Sequence, residues 1–303
     1  MSSEAGDWPQ EIKQAAERIR PYVRSTPCLE YRDGVVLKLE QLQVTGSFKP
    51  RGMFNRMLCA SVPPAGVVAA SGGNAGLAVA YAARRLGHRA SIYVPTPTPA
   101  VKIARIEEYG GEVHQVGATY NEALEASARA AAASGAIVVH AYDQPEVVAG
   151  AGTVAMELPA LDTVLVAVGG GGLIGGIAAW FAGSARVVGV EPDGCPTLAE
   201  AMRAGGPVDV ETGGVASDSL GARRLGELAW AEVERGHVSD SLVISGQAVL
   251  DARRELWSEA RIATEPGGAT AYAALSSGAY ERRPGERVAV IVCGANASPG
   301  DLG

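Results

Sequence analysis

The chain has 303 residues, 47% apolar and 19% charged, with a formal net charge of −7. That composition belongs to a folded protein of one large α/β domain or two modest ones, not a disordered chain, and it offers no basic stripe for nucleic acid. The 39 glycines show no Gly-X-Y period, which excludes collagen, and the longest apolar run, 164–181, is interrupted by glycines and is not expected to span a membrane.

The first predicted element is a helix over 10–20, where Ile12, Ala15, Ala16 and Ile19 share one face and Pro21 ends the run. A strand is expected over 35–40, a loop from Gln41 to Phe48, and a helix from Pro50 through Leu58 with proline in its first turn. From residue 67 the pattern alternates. Strands over 67–70, 90–94, 112–116 and 137–140 are separated by helices over 75–86, 100–109 and 120–134, with Gly87, Gly110 and Gly135 at the helix ends. The alternation resumes with a helix over 150–158, a strand over 163–168, a helix near 174–182 and a strand over 186–192. Residues 204–218 are glycine-rich and aperiodic. Helices over 221–229, 246–260 and 269–277, strand-like residues near 242–244 and a buried strand over 288–294 complete the chain. Apolar strands alternating with helices predict an α/β fold with parallel sheets covered on both faces.

Cys28, Cys59, Cys195 and Cys293 are far apart and form no C-x-x-C pair, so they are expected as free thiols in a reducing compartment. His88, His114, His140 and His237 have no zinc spacing, and no metal site is assigned. The opening MSSEAGDWPQE lacks the basic-then-apolar order of a secretory signal, so a cytoplasmic location is expected.

Three segments carry chemistry. Lysine is rare, confined to positions 13, 38, 49 and 102, and Lys49 sits in TGSFKPRG between a glycine-containing loop and a helix start. A helix N-terminus disfavours a cation and burial does the same, so both make a neutral, nucleophilic amine more available; the alternative is an ordinary solvated lysine. Ser71-Gly72-Gly73-Asn74-Ala75-Gly76 follows a strand and opens a helix, a turn able to hold a carboxylate or phosphate on backbone amides, or simply a tight connection. Gly169-Gly170-Gly171-Gly172, between TVLVAV and LIGGIAAW, allows a loop that side chains would obstruct. It lacks the GKS or GKT of a Walker motif and is a poor dinucleotide fingerprint; its amides suit a phosphate, while close helix–strand packing is the alternative. Ligands of open α/β sheets bind at such strand ends. Together an amine, a Ser/Asn turn and a glycine cup suit an aldehyde cofactor with a phosphate tail.

SFKPRG at 47–52, SGGNAG at 71–76, GGGGLIGG at 169–176 and VCGAN at 292–296 resemble, in that order and over nearly the whole chain, the serine/threonine dehydratase family of fold type II pyridoxal-phosphate enzymes. The resemblance implies two parallel-sheet domains with flanking helices: a large cofactor-binding domain from residues 1–51 and 148–303, and a small one inserted over 52–147. It implies that Lys49 carries pyridoxal 5'-phosphate as a Schiff base and later serves as general base, with Phe48 beside the ring. Asn74 would bond the ring's 3′-oxygen, and Gly169, Gly170, Gly171, Gly172 and the amide of Leu173 would hold the phosphate. Cys293 would lie near the pyridine nitrogen. Ser71, Gly72, Gly73, Asn74 and Ala75 would hold the carboxylate of a small hydroxy-amino acid. The implied reaction removes water and ammonia from serine or threonine, giving pyruvate or 2-oxobutanoate. A homodimer is implied, and neither nucleic acid nor membrane is expected as a partner.

Several positions depart from the resemblance or extend it. Racemases of this family commonly place a serine where this chain has Gly72, which argues against racemization. Ala75 replaces the histidine of many threonine dehydratases, closer to the serine-dehydratase branch. The chain ends soon after VCGAN, so feedback control through an added C-terminal domain is not expected. Some relatives bind a cation; Glu191, Glu211 and Asp218 are available carboxylates, read here as solvated surface. Glu265, in ATEPGGA, either lines the pocket or caps a helix. The alternatives in function are a lyase or β-replacement enzyme for another β-substituted amino acid, and a non-catalytic metabolite sensor.

Overall fold

The structure, a computed structural model, describes residues 7–297; residues 1–6, part of the segment read above for a leader, lie outside it. Helix α1 (Trp8–Ile19) is capped by Asp7, whose carboxylate accepts from the Gln10 amide, and buries Ile12, Ala15 and Ile19. Two strands follow, β1 (Cys28–Arg32) and β2 (Val35–Lys38), paired antiparallel across Gly34. Strand β1 carries no signal in the sequence, because its side chains are partly or wholly exposed and show no apolar face. The strand expected to reach residue 40 stops at Lys38: Glu40 is instead drawn inward to Arg51 at 2.8 Å. Helix α2 (Pro50–Leu58) starts at its proline as predicted.

Next come β3 (Val67–Ala70), α3 (Asn74–Leu86), β4 (Ala90–Val94), α4 (Ala100–Glu108), β5 (Glu112–Gln115), α5 (Tyr120–Ser134) and β6 (Ile137–Val138). The four strands form one all-parallel sheet in the order β5-β4-β3-β6. Helix α5 begins with a capping box in which Thr119 and Glu122 satisfy each other's backbone amides, and ends on left-handed Gly135.

The chain continues through α6 (Pro145–Met156), β7 (Thr163–Ala167), α7 (Gly172–Phe181), β8 (Arg186–Pro192), α8 (Thr197–Ala204), the single turn α9 (Ser217–Leu220), α10 (Glu227–Glu234), β9 (Asp240–Ile244), α11 (Gly246–Ala260), α12 (Pro266–Ser276) and β10 (Val288–Ile291). The second sheet runs β1-β2-β10-β7-β8-β9 and is parallel apart from the β1–β2 edge. Val164, Leu165, Val166, Val188, Val190, Val290 and Ile291 make its interior, buried beneath helices as parallel strands require.

Two helices are displaced from expectation. Helix α6 starts at Pro145 rather than 150, because Gly150 and Gly152 lie inside it; a Cβ at Gly150 would come within 2.4 Å of the Arg51 carbonyl oxygen. The helix expected over 221–229 covers 227–234, since Asp143, remote in sequence, accepts from the Glu227 and Leu228 amides and sets its start. Beneath α2 lies a buried ionic cluster in which Arg51 meets Glu40 and Glu157, and Lys38 meets Glu157 at 2.5 Å. It ties the first turn of α2, and so the residue before it, to β2 and α6.

Candidate active site

Lys49 is held at the junction of three elements. Thr45 and Gly46 turn the chain through left-handed conformations, Ser47 pairs with Gly294, and the Phe48 amide donates to the Cys293 carbonyl at 3.2 Å. Lys49 therefore enters α2 beside the carboxyl end of β10. Its Nζ donates to the Ala141 carbonyl at 2.7 Å and lies 5.0 Å from the centre of the Phe48 ring. Burial lowers its pKa to about 8, against a small opposing pull from Cys293. At pH 7 about one amine in ten is then neutral, against about one in three thousand for a free lysine.

The turn after β3 faces the turn after β10. Asn74, the first residue of α3, donates from Nδ2 to Glu265 Oε1 at 2.6 Å and accepts on Oδ1 from Asn296 Nδ2 at 2.6 Å. Arg105 of α4 donates to Asn296 Oδ1 at 2.8 Å. Glu265 is buried and does not cap α12 with its side chain, so its place is in the pocket wall. Burial raises its pKa to about 7 even though Asn74 and the Asn296 backbone pull it down. Ser71 Oγ accepts from the Gly73 amide at 3.3 Å. Gly72, Gly73, Asn74, Lys102, Arg105 and Glu265 line one cavity, small at about 40 Å3. Gly72 faces Thr98, whose methyl would sit 3.3 Å from a Cβ placed there.

The glycine loop links β7 to α7. Gly171 is left-handed at φ 91°, a Cβ there would lie 2.6 Å from the Ala229 methyl, and one at Gly170 would strike the Tyr142 ring at 2.3 Å. Only glycine fits these two places. The first-turn amides of α7, Gly172 and Leu173 included, have no carbonyl of their own helix to bond, and the helix dipole places positive potential at that end. Residues 141–142 join this loop to the lysine: Ala141 accepts from Lys49 and Tyr142 covers Gly170. Helix α9 joins it to the Ser/Asn turn, since a Cβ at Gly73 would lie 3.2 Å from the Asp218 carbonyl oxygen and one at Gly169 2.9 Å from Leu220 Cα.

Cys293 is buried, with Sγ 3.5 Å from the Gly267 carbonyl oxygen. Burial, with Glu265 adding to it, pushes its pKa up to about 12, so it is a thiol at neutral pH. Phe48, Lys49, Ser71 through Ala75, Gly169 through Leu173 and Cys293 thus all lie along the carboxyl ends of strands in the two sheets.

His140, Tyr142, Arg105 and Asn296 were not singled out from the sequence. His140 Nδ1 accepts from the Asp143 amide at 2.9 Å, burial lowers its pKa, and Lys49 lowers it further while Asp143 opposes. None of these has a local signature; only VCGAN pointed towards Asn296. Of the three carboxylates considered for a cation, Glu211 is exposed and Asp218 pairs with Lys102 at 2.9 Å. Glu191 is not solvated surface as expected: it has no exposed area and accepts from the Leu198 and Ala199 amides. Among the described residues no group of three His, Cys, Asp or Glu is placed to hold a metal.

The site offers an amine partly neutral at pH 7, a run of helix-start amides and an uncharged thiol, while the Ser47 hydroxyl is buried beside Lys49 with no partner. That set fits an aldehyde with an anionic tail and a ring nitrogen. The fold and cleft define an α/β protein that works with such a cofactor. The chain belongs to the pyridoxal-phosphate dependent enzyme family, whose model matches residues 19–294. It is 32% identical to L-threonine ammonia-lyase of Thermotoga maritima, over 95% of this chain and 75% of that protein. It is 34% identical to phenylserine dehydratase of Ralstonia pickettii, over 92% and 90%. The structure of maize serine racemase superposes with a TM-score of 0.90 at 33% identity, over 97% of this chain and 95% of that one.

Proposed function

We propose that this enzyme removes water and ammonia from L-serine or L-threonine, yielding pyruvate or 2-oxobutanoate. The observation that carries this choice is the asymmetry of the cleft. Lys49 supplies a basic amine, whereas Gly72, where a second base would act, has no side chain and packs toward the Thr98 methyl. One base suffices for elimination; racemization needs a proton returned from the other face.

Bound here, the cofactor supplies an aldehyde for linkage to amines and a ring that takes up electron density from the substrate α-carbon. Lys49 would hold the aldehyde and, with its amine free, would take the substrate α-proton. Gly169, Gly170, Gly171, Gly172 and Leu173 hold the phosphate on backbone amides, leaving the loop uncharged. Ser71 and the amides of Gly72 through Ala75 hold the substrate carboxylate. Asn74 Nδ2 has a second hydrogen beyond the one given to Glu265, available to the ring oxygen. Cys293, a thiol at neutral pH, would lie near the ring nitrogen without protonating it, which would favour release of the β-hydroxyl over transamination.

In this scheme residues 52–147 form an inserted small domain. Arg105 to Asn296 and Lys102 to Asp218 are the contacts by which it closes over the substrate and excludes water. We place it as a homodimer in the cytoplasm, a compartment whose reducing conditions suit the four free cysteines. No described helix is long and apolar enough to cross a membrane.

Keto acid released from L-serine and from L-threonine by the cofactor-loaded protein is the test, with Lys49→Ala as control. Steady release that vanishes in the variant is expected. No keto acid from either substrate, with cofactor bound, overturns the assignment. A second substrate class, larger β-hydroxy amino acids, is favoured by the similarity to phenylserine dehydratase; phenylserine belongs in the same assay.

A further inference from the structure

Thr197 opens α8 with its side chain wholly buried. Its Oγ1 lies 2.6 Å from the Gly169 carbonyl oxygen and 3.0 Å from Glu191 Oε1. A hydroxyl has one hydrogen to give, so one of these contacts is donated and the other received. Glu191 also accepts from the Leu198 amide at 2.7 Å and from the Ala199 amide and the Ser241 hydroxyl at 2.8 Å each. Burial nevertheless raises its pKa. The Gly169 carbonyl can only accept and is the nearer partner, at 2.6 Å against 3.0 Å, so the threonine hydrogen goes to Gly169.

What that hydrogen bond does follows from the peptide unit. In a trans peptide the carbonyl of one residue and the N–H of the next point in opposite directions, and the described residues contain no cis bond. Holding the Gly169 carbonyl from the α8 side therefore turns the Gly170 N–H the other way. The next unit is treated alike: the Gly226 amide donates to the Gly170 carbonyl at 3.0 Å, which turns the Gly171 N–H away from α10. Glycine peptides rotate freely without such anchors. The loop has a side-chain anchor on one carbonyl and a backbone anchor on the following one.

We propose, resting on the phosphate seat assigned above to Gly169–Leu173, that Thr197, backed by Glu191, is a positioning residue that aims the Gly170 N–H at the cofactor phosphate. It touches neither cofactor nor substrate. Its effect falls on the phosphate and not on the aldehyde, which Lys49 holds independently.

The test is binding of pyridoxal phosphate and of pyridoxal, which lacks the phosphate, to the apo forms of wild type, Thr197→Val and Thr197→Ser, followed by absorbance of the lysine-linked aldehyde. Wild type is expected to prefer the phosphorylated ligand. Thr197→Val should weaken pyridoxal phosphate about tenfold, the worth of one hydrogen bond to a charged group, and leave pyridoxal unchanged. Thr197→Ser, which keeps the hydroxyl, should restore the preference. Thr197→Ala removes the hydroxyl without valine's branched shape and should match Thr197→Val. Equal weakening of both ligands, or a preference that survives the loss of the hydroxyl, overturns the positioning role. A wild type that binds both ligands alike overturns the phosphate seat itself, which separates that failure from this one.

Discussion

At the scale of single residues, the fold shifts the protonation of three groups in the cleft. Burial brings Lys49 down to about 8, so the apo-protein should link to the cofactor aldehyde at a rate that climbs with pH, is half-maximal near pH 8 and levels roughly one pH unit higher. Stopped-flow absorbance across pH 6–10 measures this; a rise that continues past pH 10 would mean an ordinary solvated lysine. Glu265 moves the opposite way, to about 7. Its folded form keeps a proton that the unfolded chain has already lost, so its contribution to stability is fully present below about pH 4.5 and is lost as pH rises through 7. Over that window the penalty amounts to ~3 kcal/mol. Apo Glu265→Gln, which cannot ionise, should lose less stability than wild type between pH 4.5 and 7, and parallel curves in urea titrations at several pH values would refute the shift. Cys293 completes the set by remaining a neutral thiol. The sequence made Lys49 legible through its place before Pro50, but not the size of its shift, which comes from the packed residues around the cleft.

Among the elements, the β7–α7 loop is where sequence and geometry agree most closely. Four adjacent glycines said that side chains were unwelcome, and the surroundings supply the reasons: the Tyr142 ring, the Leu220 backbone and the Ala229 methyl. Gly171→Ala combines an unfavourable φ with a 2.6 Å contact and should cost about 1–3 kcal/mol as well as cofactor affinity. Gly205→Ala is the matched control. That glycine is also left-handed, at φ 73°, but has open space around it, so it should cost about 1–2 kcal/mol and leave cofactor binding alone. Thermal unfolding and cofactor titration of the two variants separate local strain from damage to the seat; equal loss of affinity in both would contradict the loop's role. Other elements were hidden for a physical reason. The start of α6 is obscured by glycines that serve the contact with α2, and the start of α10 is set by Asp143, more than 80 residues earlier. The edge strand β1 has no apolar face to betray it. In each case the cause is a tertiary contact, which local periodicity cannot carry.

Across the whole molecule, two parallel sheets bring their strand ends together, and Asn74, Asn296, Arg105 and Glu265 form the hydrogen-bonded seam between them. The α/β class and most of the strand–helix alternation could be read in advance; the seam could not, because its members are scattered from 74 to 296. The architecture is shared by relatives that eliminate and by relatives that racemize, so the fold alone does not choose between the two outcomes. The proposed choice of elimination rests on the amine of Lys49 and the bare glycine at 72. The most direct test is the fate of L-serine incubated with the cofactor-loaded enzyme, followed by pyruvate release together with chiral separation of the remaining amino acid. Pyruvate and ammonia in equal amounts, with the residual serine still L, is the predicted result. Accumulation of D-serine without pyruvate would contradict it.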